Sequence, residues 1–211
     1  MHFENRLFWN ETRERYPRYF NDPSRAIEFG SFNINGTLRD WCQCSDYTGI
    51  DWIDGPCVDI VSLAHEVQFG PEEFDTVLSA SMLEHDPYWE RSLAKMVQVM
   101  KKDGILAISW GAARNPLHHL EMAPDGKFHA LKAGLVLNAL ESLGLYIHQF
   151  QYERTICLAS GDEWFITHPS HMVRENLMYG MGEVVLVAFK DKENAAGERI
   201  VEPLIDEDKA T

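Results

Sequence analysis

Apolar residues fall along this chain in two rhythms. Ala26–Phe29, Tyr47–Ile50, Val58–Val61, Phe74–Leu78, Ile105–Trp110 and Glu183–Phe189 are short runs of nearly continuous apolar character, the pattern of parallel strands buried on both faces. Leu145–Tyr152 alternates instead, as a strand does. Between these runs, Leu93, Met96, Val97 and Met100 recur at helical spacing. They predict a helix that opens at Asp86 or Pro87 and reaches about Met100. A helix is also predicted from about Phe128 to Leu143, with Gly144 as its C-cap. Strands alternating with helices specify an α/β fold: a doubly wound, Rossmann-like, mostly parallel sheet with helices on both faces.

The stretch from Arg25 to Asp51 carries the first chemistry. Ala26–Phe29 reads as a strand, Gly30 releases the backbone from it, Gly36 opens a predicted helix, and a second strand ends on Asp51. This is the nucleoside-binding half of a doubly wound sheet, with a carboxylate placed to accept both ribose hydroxyls about 20 residues past the first glycine. A dinucleotide requires bare backbone beside its pyrophosphate. Here Ser31, Phe32, Asn33, Ile34 and Asn35 follow Gly30, so the glycine of close approach is missing and a phosphate-free nucleoside suits the turn better.

At Glu28–Arg39, read as E-x-G-S-x-x-x-N-G-x-x-R, the chain resembles the class I S-adenosylmethionine-dependent methyltransferases, in particular small members of the type 11 group. Phe74–Pro87 is similar to the fourth-strand motif of that superfamily, and Met96–Ser109 to its helix, turn and fifth strand. The resemblance implies seven strands, the last antiparallel and inserted beside the fifth. It also implies S-adenosylmethionine as cofactor, with S-adenosylhomocysteine as product. By the same resemblance Glu28 helps to hold the methionine amino group, and Gly30 and Ser31 lie along the methionine and ribose. Asp51 takes the ribose diol, Trp52 lies against the adenine, and the backbone of Ala64 and His65 meets the adenine edge. Asn33, Asn35 and Gly36 complete the first loop, where the asparagines serve the turn or make polar contacts. Ser81 and Met82 follow the fourth strand. Two departures stand out: the glycine-rich core is reduced to Gly30 and a displaced Gly36, and Leu63 occupies a position where many relatives carry an acid.

Methyl transfer needs an aligned nucleophile and in some cases a proton acceptor. Histidine is the side chain suited to that near neutral pH, and His85, His118 and His119 fall beyond the fourth and fifth strands. For His85 a role in supporting the loop competes with catalysis. Asp86-Pro-Tyr-Trp89 superficially resembles the tetrapeptide of DNA amino-methyltransferases but lacks its second proline, and reads as a helix start. The neighbouring histidines lack metal-ligand spacing, and Cys42-Gln-Cys44 lacks a zinc spacing, which leaves reduced structural thiols and no metal.

Composition narrows the partners. The 211 residues carry a formal charge of -14, which disfavours a nucleic-acid backbone as partner. No stretch is long enough to span a bilayer and no signal peptide is evident, so a cytoplasmic location is expected. Residues 1–24, rich in aromatics, form either a helix packed on the domain or a lid over the cofactor. Residues 25–190 form the catalytic domain. Residues 154–182, with Trp164, Phe165, His168 and His171, make a long excursion between the last two strands that could wall an acceptor pocket or cover a sheet edge. Residues 191–211 read as an acidic tail. The expected activity is methyl transfer to a small-molecule or sugar-like acceptor, at oxygen. A nicotinamide oxidoreductase and a non-catalytic binding protein are the alternatives.

Overall fold

The computed structural model describes residues 3–34, 36–112, 123–158, 163–166 and 177–205. Among these, nine strands form one sheet. In chain order they are β1 (Arg25–Phe29), β2 (Asp46–Asp51), β3 (Ile60–Val61), β4 (Phe74–Ala80), β5 (Met100–Gly111), β6 (Tyr146–Leu158), β7 (Glu163–Ile166), β8 (Leu177–Phe189) and β9 (Ile200–Val201). Across the sheet the order is β3-β2-β1-β4-β5-β8-β6-β7, with β9 beside β6. The first five are mutually parallel, and β8 runs antiparallel between β5 and β6. The expected antiparallel insertion beside the fifth strand is present, and β7 and β9 are additional to the expected seven strands. The order reverses between β1 and β4, so their carboxyl ends flank the crevice where such sheets take ligands.

Both faces of the central strands are apolar, and residue parity decides which side each residue serves. Leu106, Ile108 and Trp110 of β5, with Val184, Leu186 and Ala188 of β8, join one core. Ile105 and Ala107, with Val185, Val187 and Phe189, join the other. Two helices, α2 (Trp89–Val99) and α3 (Ala133–Ser142), contribute Leu93, Met96, Val97, Val136 and Leu140 to the first core. They follow the predicted helical spacing. Gly144 adopts the left-handed backbone of a C-cap, and its N–H bonds the Glu141 carbonyl. The helix expected from Phe128 begins five residues later, because residues 123–132 form a loop at the sheet's carboxyl edge.

The second core is covered from outside the crossover. Helix α1 (Phe3–Arg15) places Phe8, Trp9 and Thr12 against the sheet, and Tyr16, Tyr19 and Phe20 continue that face beyond it; all six are buried. None of the described residues 8–24 lines the cavity described below. The helix expected from Gly36 is instead one 3-10 turn, Leu38–Asp40, capped by the Thr37 hydroxyl. A longer helix has no room there. Trp41 and Cys42 already close back on the Leu38 carbonyl, and Gln43 N–H is bonded to Phe20 O at 2.7 Å. Cys57, just before the apolar run Val58–Val61, lies in a turn with φ +71°. The following Val58 N–H closes that turn on Gly55, so β3 shortens to two residues.

The expected tail is part of the fold as far as Ile205. β9 pairs with β6 through Ile200 and Val201, Arg199 donates to Ile147 O at 2.9 Å, and Glu202 N–H reaches Phe150 O at 3.0 Å. The stretch expected as an excursion is in part continued strand, since β6 reaches Leu158 and β8 begins at Leu177. His168 and His171 lie outside the described residues. Ending the chain after Asn194 removes these bonds together with Ile205, which packs on the main core. The truncated protein should lose about 2–4 kcal/mol of unfolding free energy, at about 0.5–1.5 kcal/mol per hydrogen bond, measured by urea denaturation.

Candidate active site

The site begins where β1 ends. Gly30 adopts φ +85°, and its N–H and that of Ser31 both bond Ile50 O, at 2.8 and 3.0 Å. A side chain at Gly30 would put its Cβ 2.5 Å from Met82 Cβ. Left-handed backbone and this contact together require glycine. The loop can therefore pass directly over the residue that leaves β4. Ser31 is buried against Gly49, where an added Cβ would come within 2.3 Å of Cys57 O. Asn33 serves the turn: its side-chain oxygen accepts Gly36 N–H at 2.8 Å.

At the tip of β2, the Asp51 carboxylate accepts Phe32 N–H and Ile53 N–H, each at 3.1 Å. Burial pushes its pKa up, and backbone N–H groups led by that of Ile53 oppose the shift. Each oxygen retains a lone pair for a further donor. Asp51 lines a partly open cleft together with Gly30, Ile50, Trp52, Ser62, Leu63, Ala64, Met82, His85, Asp86 and Pro124. Among the described lining residues there are two aspartates and no Lys or Arg. An anionic phosphate finds no cationic partner in this lining, whereas a nucleoside joined to a cationic sulfonium meets a diol acceptor, an aromatic side chain and negative charge. The residues present therefore fit S-adenosylmethionine and disfavour a dinucleotide.

Six of the residues singled out from the sequence meet at this cavity: Gly30, Asp51, Trp52, Ala64, Met82 and His85. Others are near it but turned elsewhere. Glu28 is buried beneath the loop and accepts the Tyr47 hydroxyl at 2.6 Å; desolvation raises its pKa to about 7, with Tyr47 opposing. His65 stacks on Tyr88, with ring centroids 4.7 Å apart. Ser81, at φ +51°, points its hydroxyl to Glu183 at 3.3 Å. Asn35, His118 and His119 lie outside the described residues. Sequence reasoning missed Ile50, Ser62, Asp86 and Pro124 as lining residues. Ile50 and Ser62 sit at strand ends, where the carboxyl-edge rule could have found them.

It also missed an acidic corner. Glu84 and Glu183 are both buried, the first in a 3-10 turn after β4, the second on β8 opposite Gly111 of β5. Neither oxygen of the Glu84 carboxyl makes a well-formed hydrogen bond. Burial raises its pKa to about 7, while the nearby backbone N–H groups of Glu84 itself and Gly111 work weakly against the shift. Its own carbonyl accepts His129 N–H at 2.6 Å, which ties the 123–132 loop to this turn. His85 stands one residue on, buried, with its ring edge-to-face against Phe128 at 5.8 Å. Among the described residues no cluster of three metal-ligating side chains occurs, and no helix is long and apolar enough to cross a membrane.

Residues 36–108 match the family model described as Methyltransferase domain. No curated protein matches the chain. Among solved structures, the YcgJ protein of Bacillus subtilis superposes with a TM-score of 0.62 at 12% identity, over 89% of this chain and 97% of that one. An S-adenosylmethionine-dependent methyltransferase from Mesorhizobium loti gives 0.58 at 15%, over 85% and 96%. The 1,6-didemethyltoxoflavin-N1-methyltransferase of Burkholderia thailandensis, solved with 1,6-didemethyltoxoflavin and S-adenosylhomocysteine bound, gives 0.56 at 14%, over 88% and 81%. At these identities the likeness is one of fold.

Glu84 makes stability depend on pH. Its folded pKa of about 7 lies above the ordinary 4.5, so between these values the native state holds a proton that the unfolded state has released. Stability from this group falls as pH rises through that window. Glu84→Gln does not titrate. Its unfolding free energy relative to the parent should therefore rise from pH 4.5 to 7 by up to about 3 kcal/mol, at about 1.4 kcal/mol per pKa unit, and level off above. Guanidinium melts at pH 4.5, 6 and 8 measure this; a constant difference would show that Glu84 ionises normally.

Proposed function

We propose that the chain is a class I S-adenosylmethionine-dependent methyltransferase, as the match of residues 36–108 to the methyltransferase-domain model supports, and that it methylates a small-molecule or sugar-like acceptor at a hydroxyl oxygen. The observation that supports the acceptor reading is the buried carboxyl of Glu84, in the 3-10 turn between the cleft-lining residues Met82 and His85. A buried carboxyl next to a ligand site favours a ligand able to hydrogen-bond with it. The small heterocycle bound in the Burkholderia thailandensis enzyme supports an acceptor of similar size here.

In this reading Asp51 accepts the ribose hydroxyls, Trp52 lies along the adenine, and Leu63 and Ala64 close an apolar slot beside it. The backbone next to Ala64 and His65 meets the adenine edge, and Leu63 leaves adenine recognition to shape and backbone. Gly30 and Ser31 run beside the ribose and methionine, with Glu28 acting from beneath the loop through Tyr47. Met82 and His85, which follow β4, face the sulfonium end. S-adenosylmethionine supplies an electrophilic methyl group when bound. In this proposal the protein aligns the acceptor oxygen and His85 takes its proton. His118 and His119, which follow β5 in the sequence, are further candidate proton acceptors, and residues 154–182 are the candidate wall of the acceptor pocket.

Transfer of labelled methyl from S-adenosylmethionine to a panel of sugars and phenolic alcohols tests the acceptor class; turnover confined to amines or thiols would refute oxygen. The cofactor placement is tested separately. Asp51→Ala should weaken S-adenosylhomocysteine binding by about 1.5–3 kcal/mol, the range for hydrogen bonds to a charged group, with an unchanged circular dichroism spectrum. Calorimetry that returned the parent affinity would remove Asp51 from the ribose.

A further inference from the structure

Cys42 and Cys44 are not needed for the chemistry above, and they are not placed as two independent core thiols. Gln43 between them is held extended, its N–H on Phe20 O and its backbone bridged to Asn21. In extended backbone, residues two apart face the same side, and the two Sγ atoms lie 3.2 Å apart. Both residues are buried, at 6% and 7% exposure. Cys44 Sγ also reaches Tyr19 O at 3.5 Å, the carbonyl that accepts the Thr76 hydroxyl at 2.5 Å. The pair shares its protons unevenly. The side-chain contact with Cys44 draws the Cys42 pKa below that of an ordinary thiol, and the Cys44 pKa is raised by the same contact.

We propose that Cys42 and Cys44 form a peroxide-sensitive dithiol switch at the 3-10 turn that follows the cofactor loop. The Cys42 thiolate attacks a hydroperoxide, whose O–O bond breaks, giving a Cys42 sulfenic acid and releasing hydroxide or alkoxide. Cys44 then attacks the Cys42 sulfur, the S–O bond breaks, and water leaves with the Cys44 proton. Two thiols and one peroxide become one disulfide. Burial admits hydrogen peroxide more readily than a bulky disulfide such as oxidised glutathione. Closing the bond draws the sulfurs from 3.2 Å to about 2.05 Å and takes Cys44 off the Tyr19 carbonyl.

The consequence reaches the cofactor through the turn that Cys42 closes. Its N–H bonds Leu38 O at 3.0 Å. The neighbouring Arg39 pairs with Asp59 and lies over the Tyr47 ring. Tyr47 holds Glu28, and Asp59 accepts Gly49 N–H two residues before Asp51. A shift of Cys42 therefore moves contacts that set both the loop and the β2 tip.

The full chain carries four cysteines. After limited hydrogen peroxide, thiol titration in denaturant should fall from four to two, and peptide mass mapping should find a 2 Da loss on the segment holding Cys42 and Cys44. S-adenosylhomocysteine affinity should drop at least about fivefold, the low end of coupling between linked sites, and dithiothreitol should restore it. In Cys44→Ser, dimedone should trap the sulfenic acid on Cys42. Retention of four thiols, oxidation falling on Cys57 or Cys157 instead, or a Cys42–Cys44 bond with unchanged affinity would each overturn the switch.

Discussion

A strand buried on both faces must be covered from both sides, and most of this structure follows from that requirement. β1, β4, β5 and β8 bury apolar side chains on both of their faces. The α2 and α3 crossovers cover one face. The other has no comparable crossover helix, because the link from β1 to β2 forms a single 3-10 turn. The aromatic segment before β1 covers that face, with Trp9, Tyr16, Tyr19 and Phe20 taking the space of a helix side. Cys42 and Cys44 are buried in the same layer, which is how a thiol pair comes to lie against the 3-10 turn that follows the loop after β1.

The second consequence is electrostatic. Where β1 and β4 part, the backbone passes close enough to Met82 that a side chain is excluded at Gly30, and polar groups cluster at the strand ends around this passage. Glu28, Asp51 and Glu84 all have raised pKa values, with desolvation the largest cause in each. Tyr47 and backbone N–H groups offset part of the penalty for Glu28 and Asp51, whereas the Glu84 carboxyl makes no well-formed hydrogen bond and has only the nearby N–H groups of Glu84 and Gly111. A carboxyl kept dry and unpaired costs stability, and such costs concentrate at sites where a ligand supplies the missing partner. The strained Ser81 backbone, at the same strand end, belongs to the same pattern.

By itself, the sequence determined the parallel α/β sheet with its antiparallel strand beside the fifth. Continuous apolar runs specify buried strands whatever surrounds them, and a strand-tip aspartate some twenty residues beyond a turn glycine marks a candidate ribose acceptor. That Asp51, Gly30, Trp52, Ala64, Met82 and His85 lie at one cleft was legible because each sits at or near a strand end, and the turn role of Asn33 was legible from its residue type. Where the side chains of Glu28, His65 and Ser81 point was not, because a side chain's direction depends on its neighbours. Tyr47 takes Glu28, Tyr88 takes His65 and Glu183 takes Ser81. Only the tertiary structure decided that Glu84 and Glu183 are buried near one corner, that residues 195–205 join the sheet, and that Cys42 touches Cys44. Each depends on segments distant in sequence coming together, and local patterning carries no information about which polar group will lose its water when they do.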